Sequence, residues 1–197
     1  MCHLYPELDE SLAVQPITCH PRLVSPISRQ DLLHKTAVLV SAVVSQDIHQ
    51  LDFLLFPAVT PENSISIPPS DYPYLINYPD EQGWSPIHYC VTAANPSFVA
   101  LDILYRAGAD TSLFTQSGHG TALHCLAYKA DTSTTSSIRP FIHHLVDDLR
   151  APLSAVDQEG ETCIHVAAEH GQSYEVLVAL LSCDVSGSVR ATRNSRG

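Results

Sequence analysis

The sequence predicts an all-α fold, an elongated α-solenoid of helix-turn-helix repeats, on three observations. Stretches 80–88, 116–124 and 157–165 align with one another, each running from a polar turn through a glycine and a hydroxyl residue to a histidine. Each is followed by a small-residue helix and then a second apolar helix. His88, His124 and His165 stand 36 and 41 residues apart (124 − 88 and 165 − 124), which fits a unit of roughly 33 residues with insertions. Finally, 45% of the 197 residues are apolar and only 16% charged, enough apolar material for a packed core.

The elements follow in order. Residues 1–29 hold Pro6, Pro16, Pro21 and Pro26 without sustained periodicity, and read as a flexible arm. From Asp31 to Phe56 the pattern is helical: Leu32, Leu33, Val38, Leu39, Ala42 and Val43 mark one helix, and Ile48, Leu51, Leu54 and Leu55 a second. Asp47 stands where it can cap the second. Residues 57–79 carry Pro57, Pro61, Pro68, Pro69, Pro73 and Pro79 with Tyr72, Tyr74 and Tyr78. That is too much proline for a helix or a central strand, and it predicts a long loop of a kind that is often functional.

Repeats are expected at about 80–113, 116–155 and 157–183. Ser85, Thr121 and Thr162 supply hydroxyl N-caps, and Pro86 takes the first helical position, where its missing N–H costs nothing. Gly108 follows Leu104 and Tyr105 where a helix must stop. Gly118-His119-Gly120 carries one extra residue, and the polar run 130–137 splits the helices of the second repeat. That run reads as a solvated loop rather than a regulated phosphosite. Asn194-Ser195-Arg196-Gly197 has the form of Asp80-Glu81-Gln82-Gly83, so 184–197 is expected to be a tail or the start of a truncated further repeat. Val176, Leu177, Leu180 and Leu181 would then sit on a last helix with no later helix to cover it.

At these residues the sequence resembles the ankyrin repeat family. Ser85-Pro86-Ile87-His88 is similar to its T-P-L-H signature, Gly108-Ala109-Asp110 to its G-A-D ending, and Ala167-Ala168-Glu169-His170-Gly171 to its A-A-x-x-G turn. The resemblance covers about residues 31–183, with 31–56 as a degenerate opening repeat. It implies a structural signature of Ser85, Pro86, His88, Gly108, Thr121, His124, Thr162, His165 and Gly171. It also implies that partners sit on the finger-like turns and on the inner face of the first helices. By position those turn residues are Asp80, Glu81, Gln82 and Trp84, then Gln116, Ser117 and His119, then Asp157, Gln158, Glu159 and Glu161.

Charge and cysteine usage narrow the function further. With 21 acidic against 10 basic residues the formal charge is −11, which argues against broad binding to nucleic acid phosphates and favours a basic protein partner. Cys2, Cys19, Cys90, Cys125, Cys163 and Cys183 are thinly spread, with no cationic head and apolar core of a signal peptide before them. The cytosol or nucleus is expected. The longest apolar stretches, 37–44 and 53–59, fall far short of the roughly 20 residues of a membrane span.

Catalytic and metal chemistry find little support. His88/Cys90, His124/Cys125 and Cys163/His165 are too close along a helix to face each other, so the three histidines are expected to hydrogen-bond the turns and the cysteines to act as small apolar residues. Cys2-His3 and Cys19-His20 lack the spacing of a zinc site, and Gly118 and Gly120 lack the rest of a phosphate loop. His143/Asp147 and His144/Asp148 have i, i+4 spacing, read as an exposed helix face. No catalytic residue, metal or cofactor is expected. The expected function is a non-enzymatic protein-protein interaction module; the alternative is an N-terminal targeting or regulatory portion of a larger multidomain enzyme or signalling protein.

Overall fold

A computed structural model describes residues 28–56, 75–116, 118, 120–130 and 138–196. The expectations for the arm, for most of the proline-rich loop, for the Ser/Thr run, and for Ser117 and His119 lie outside the described residues.

Among the described residues eight α-helices follow in order: α1 (Arg29–Val44), α2 (Ile48–Leu55), α3 (Pro86–Val91), α4 (Phe98–Arg106), α5 (Ala122–Lys129), α6 (Ile138–His143), α7 (Cys163–Glu169) and α8 (Tyr174–Cys183). A π-helical turn, His144–Asp148, continues α6. Among the described residues there is no strand, only an isolated antiparallel bridge between Val156 and Thr162. The caps are those the sequence chemistry calls for: Ser28 accepts from the Asp31 N–H, Asp47 from the Gln50 N–H and Ser97 from the Ala100 N–H.

Stacking builds the core. The first helices form a row in which α1 packs on α3, α3 on α5 and α5 on α7; second helices pair as α2 with α4 and α6 with α8. Leu39, Leu51, Ile87, Leu101, Leu104, Leu123, Leu126, Phe141, Ile142, Leu145 and Leu180 are all essentially inaccessible and belong to one continuous cluster. Each short helix buries its apolar face only because a neighbour lies on it, as in solenoids generally. The expectation that the apolar stripe of α8 lacks cover is corrected here. Val176 and Leu180 are buried because α8 lays them on α6 and α7, and Leu177 and Leu181 pack against the same core.

The recurring histidine joins one repeat to the next. In α3, α5 and α7 it is the third helical residue, and its Nδ1 accepts from the N-cap backbone N–H at 3.1, 3.2 and 3.2 Å. The N-cap hydroxyl lies 2.8, 2.9 and 2.9 Å from the same nitrogen. With Nδ1 an acceptor, Nε2 carries the proton, and it points at a carbonyl of the next turn: Leu113 for His88 at 3.1 Å and Glu161 for His124 at 3.0 Å. The ring therefore satisfies backbone groups on both sides of a repeat boundary.

Two glycines permit this close fit. Gly120 has φ +83°, and a Cβ there would stand 2.5 Å from the His124 ring. At Gly171 a Cβ would meet the Ala167 carbonyl at 2.5 Å and the Ala127 carbonyl of α5 at 3.1 Å, so the α5–α7 contact requires its absence.

Gly120→Ala combines a left-handed backbone with a clash on a rigid ring, and is expected to lower unfolding free energy by about 2–4 kcal/mol in urea melts. Burial holds His88 and His124 below the ordinary histidine pKa, outweighing the carbonyls that favour the charged form. The folded rings are thus neutral when the unfolded ones begin to take up protons. Stability from these rings is complete above about pH 6.5 and is lost as pH falls through that value toward the folded pKa. A His88→Gln/His124→Gln variant is expected to be less stable at pH 7.5 and to lose less stability on acidification to pH 5 than the parent, as read by urea midpoints.

Candidate partner-binding surface

The turns that precede the first helices share one construction. Asp80 Oδ1 accepts from the N–H groups of Gln82 (2.9 Å) and Trp84 (3.0 Å), and Asp157 Oδ1 from those of Glu159 (3.0 Å) and Glu161 (2.8 Å). Asn194 Oδ1 accepts from the Arg196 N–H at 3.1 Å in the same way. A backbone pair closes each full turn: Asp80 N–H to the Trp84 carbonyl, Thr115 to Gly120, and Asp157 to Glu161, at 2.9–3.0 Å. The middle turn spans the extra residue and begins with Thr115 instead of an aspartate.

Neighbouring turns are tied together. The Gln116 N–H donates to the Gly83 carbonyl at 3.0 Å, and the Ser195 N–H to the Glu159 carbonyl at 3.1 Å. The result is a row of fingers at fixed spacing beside the first helices.

The expected binding residues divide into two sets. Asp80 spends both oxygens, the second on the Tyr89 hydroxyl, and Asp157 spends Oδ1 within its turn. Glu161 is only 3% exposed and is held by the Asn194 amide at 3.1 Å and by the Arg196 guanidinium. Arg196 also grips Glu169 at 2.6 and 2.8 Å and holds that carboxyl below its usual range. Trp84 is half-buried, its ring 5.3 Å from Tyr89 and 5.9 Å from His88, all within its own repeat. Glu81, Gln82, Gln116 and Glu159 are exposed. His119 lies outside the described residues.

Two clefts flank the fingers. One of about 270 Å³ lies between the 157–161 turn and helices α5 and α7, lined by Tyr128, Val166, His170, Glu159 and Arg196 among others, with the Tyr128 and His170 rings 5.9 Å apart. A wider one, about 990 Å³, runs between α1 and the 80–82 turn, with Leu33, Ala37, Val40 and Val44 facing Asp80, Glu81 and Gln82. The wider cleft sets an apolar wall against an acidic rim, whereas the smaller one is mostly polar, with Arg196 among its acidic groups.

Burial pushes the Cys90, Cys125 and Cys163 thiols up to about 12, away from thiolate, and His88 and His124 are committed to the backbone. The sequence left the Glu161–Arg196–Glu169 cluster undetected, although aligning Asn194 with Asp80 and Asp157 puts Arg196 one turn away from Glu161.

The family model of the ankyrin repeat matches residues 159–190, which contain the Thr162–His165 staple, α7, Gly171 and α8. The chain carries an ankyrin repeat. The stapled units at Ser85–His88 and Thr121–His124 repeat its geometry, and the fold is an all-α array of ankyrin type. Ankyrin repeats in general are protein-protein interaction modules.

The division of turn residues has a direct consequence for mutagenesis. Asp157→Ala removes the acceptor for two backbone N–H groups and is expected to cost about 1–3 kcal/mol in chemical denaturation. Glu159→Ala, on an exposed tip, is expected to stay within about 0.5 kcal/mol of the parent.

Proposed function

We propose that this ankyrin array is a non-enzymatic adaptor or scaffold that holds a basic segment of a partner protein along its finger row and the adjoining clefts. The observation that carries the reading is the split among the acidic turn residues. Asp80, Asp157 and Glu161 are held by hydrogen bonds within the fingers, while Glu81 and Glu159 stand exposed on them, Glu81 at the cleft walled by apolar residues of α1 and Glu159 at the smaller, mostly polar one. A scaffold held by internal hydrogen bonds leaves its tips available for recognition without reorganisation, which lowers the ordering cost of binding. The formal charge of −11 adds long-range attraction for a basic partner and repulsion of nucleic acid phosphates.

The reading also assigns the protein to a reducing compartment, the cytosol or nucleus. Cys90, Cys125, Cys163 and Cys183 are free thiols, as expected there.

Partners are captured from cell extract on the immobilised full-length chain, and their affinities are compared with those for a Glu81→Lys/Gln82→Lys/Glu159→Lys variant. None of these side chains carries a turn hydrogen bond described above, so the variant is expected to melt with the parent. Binding is expected to weaken at least about tenfold and to lose most of its dependence on ionic strength. Affinity unchanged by the triple reversal would remove the finger row as the binding site.

A further inference from the structure

On the second-helix side of the array, α6 ends in two consecutive histidines where it passes into the π-helical turn, closed by the Leu149 N–H on the His144 carbonyl at 3.0 Å. Such turns are rare and recur at functional sites. The two histidines have different surroundings. His144 is saturated by carboxylates, with Nδ1 2.7 Å from Asp148 and Nε2 2.8 Å from Asp102 of α4. His143 has Nε2 2.9 Å from the Ser182 hydroxyl, and that hydroxyl donates its own proton to the Ala179 carbonyl at 2.6 Å. Ser182 must therefore accept, and His143 Nε2 carries a proton.

This leaves His143 Nδ1 facing Asp147 Oδ2 at 3.0 Å and Cys183 Sγ of α8 at 3.6 Å. The three atoms all lie within 4.8 Å of one another. An imidazole nitrogen and a carboxylate oxygen this close need a cation between them. A proton on Nδ1 serves Asp147 alone, whereas a metal ion serves all three donors.

The nitrogen–oxygen distance is that of a hydrogen bond, and it is the nitrogen–sulfur distance that fits the second option. Tetrahedral zinc, with bonds of about 2.0–2.1 Å to nitrogen and about 2.3 Å to sulfur, sets those two ligand atoms about 3.6 Å apart. That is the separation found between Nδ1 and Sγ. The same geometry asks for about 3.4 Å between nitrogen and oxygen, reached by a small rotation of the Asp147 side chain, which is 60% exposed. The other three-donor cluster among the described residues, Glu161 with Glu169 and His170, already has the Arg196 guanidinium on both carboxylates.

We propose that His143 Nδ1, Asp147 Oδ2 and Cys183 Sγ bind a divalent transition-metal ion of the zinc class, with water as the fourth ligand. A thiolate and an imidazole beside one carboxylate select zinc-like ions over magnesium or calcium, which prefer all-oxygen sites. Ser182 is the outer partner that fixes the ring and its tautomer. Burial and the Asp147 charge push the Cys183 thiol up to about 11, so the metal-sulfur bond forms as the thiol proton is released to solvent. The ion would tie the end of α6 to the end of α8, apart from the finger row.

The full-length chain is titrated with Co²⁺ as a spectroscopic probe, then with Zn²⁺ in competition. A single equivalent of Co²⁺ is expected to give a thiolate-to-metal charge-transfer band that Zn²⁺ abolishes. Cys183→Ser is expected to lose the band, and His143→Gln and Asp147→Asn to weaken binding at least about tenfold with the helical circular dichroism unchanged. Asp148→Asn, altering the neighbouring carboxylate, should stay within about twofold. Because Cys2, His3, Cys19 and His20 offer other donors, a Cys2→Ser/Cys19→Ser variant is run in parallel and should keep the band. A band that survives Cys183→Ser, a band lost in Cys2→Ser/Cys19→Ser, unchanged affinity in His143→Gln, or no band in the parent would each overturn the assignment.

Discussion

The array rests on two neutral imidazoles, His88 and His124, each placed across a repeat boundary. A stack of short helices has no sheet to absorb the polar groups of its connecting turns, and those groups are buried as the repeats close on one another. His88 and His124 meet that demand with one ring each: Nδ1 takes the N-cap N–H of its own helix, and Nε2 reaches a carbonyl of the next turn. A charged ring could not serve, because a proton on Nδ1 would face a donor. The glycine at 120 and the hydroxyls at 85, 121 and 162 are conditions of this one contact.

The same contact decides which acidic residues are available to a partner. Asp80, Asp157 and Asn194 occupy equivalent places, and asparagine does there what aspartate does, so the turn requires an acceptor and not a charge. Counting carboxylates along the fingers therefore overstates the recognition surface. Glu161 is the clearest case, buried under Arg196 and Asn194. What stays exposed is a small number of tips on turns that the Gly83–Gln116 and Glu159–Ser195 backbone bonds tie to their neighbours, and on the proposed function these are the recognition surface.

The repeat pattern made the fold legible, since the caps, histidines and glycines are local signals written next to the helices they start or stop. The ankyrin resemblance agrees with the match over 159–190. What the sequence concealed is long-range. Periodicity shows that α8 has an apolar stripe but not that Val176 and Leu180 find α6 and α7. The i, i+4 pairs at His143/Asp147 and His144/Asp148 were visible as spacing. Nothing local told them apart, because the residues that do so, Asp102, Ser182 and Cys183, come from other helices. The passage from α6 into the π-helical turn, across which both pairs lie, has no signature that a count of helical spacing could detect.

The end of α8 explains why the finger row and the second-helix side can be treated as separate surfaces. Asp184 is 2% exposed, and its carboxylate takes the N–H groups of Val189 and Arg190 at 3.2 and 2.9 Å while Val189 enters the core. Burial alone would raise its pKa, but those N–H groups and the Arg190 guanidinium together hold it low, so the carboxylate is a fixed cap at neutral pH. The chain leaving α8 is thereby turned toward the 157–161 finger, where Ser195 and Arg196 dock, while Ser182 and Cys183 stay against α6. One buried carboxylate thus fixes the bend after which the chain leaves the α6–α8 contact at Ser182 and Cys183 and reaches the 157–161 finger at Ser195 and Arg196.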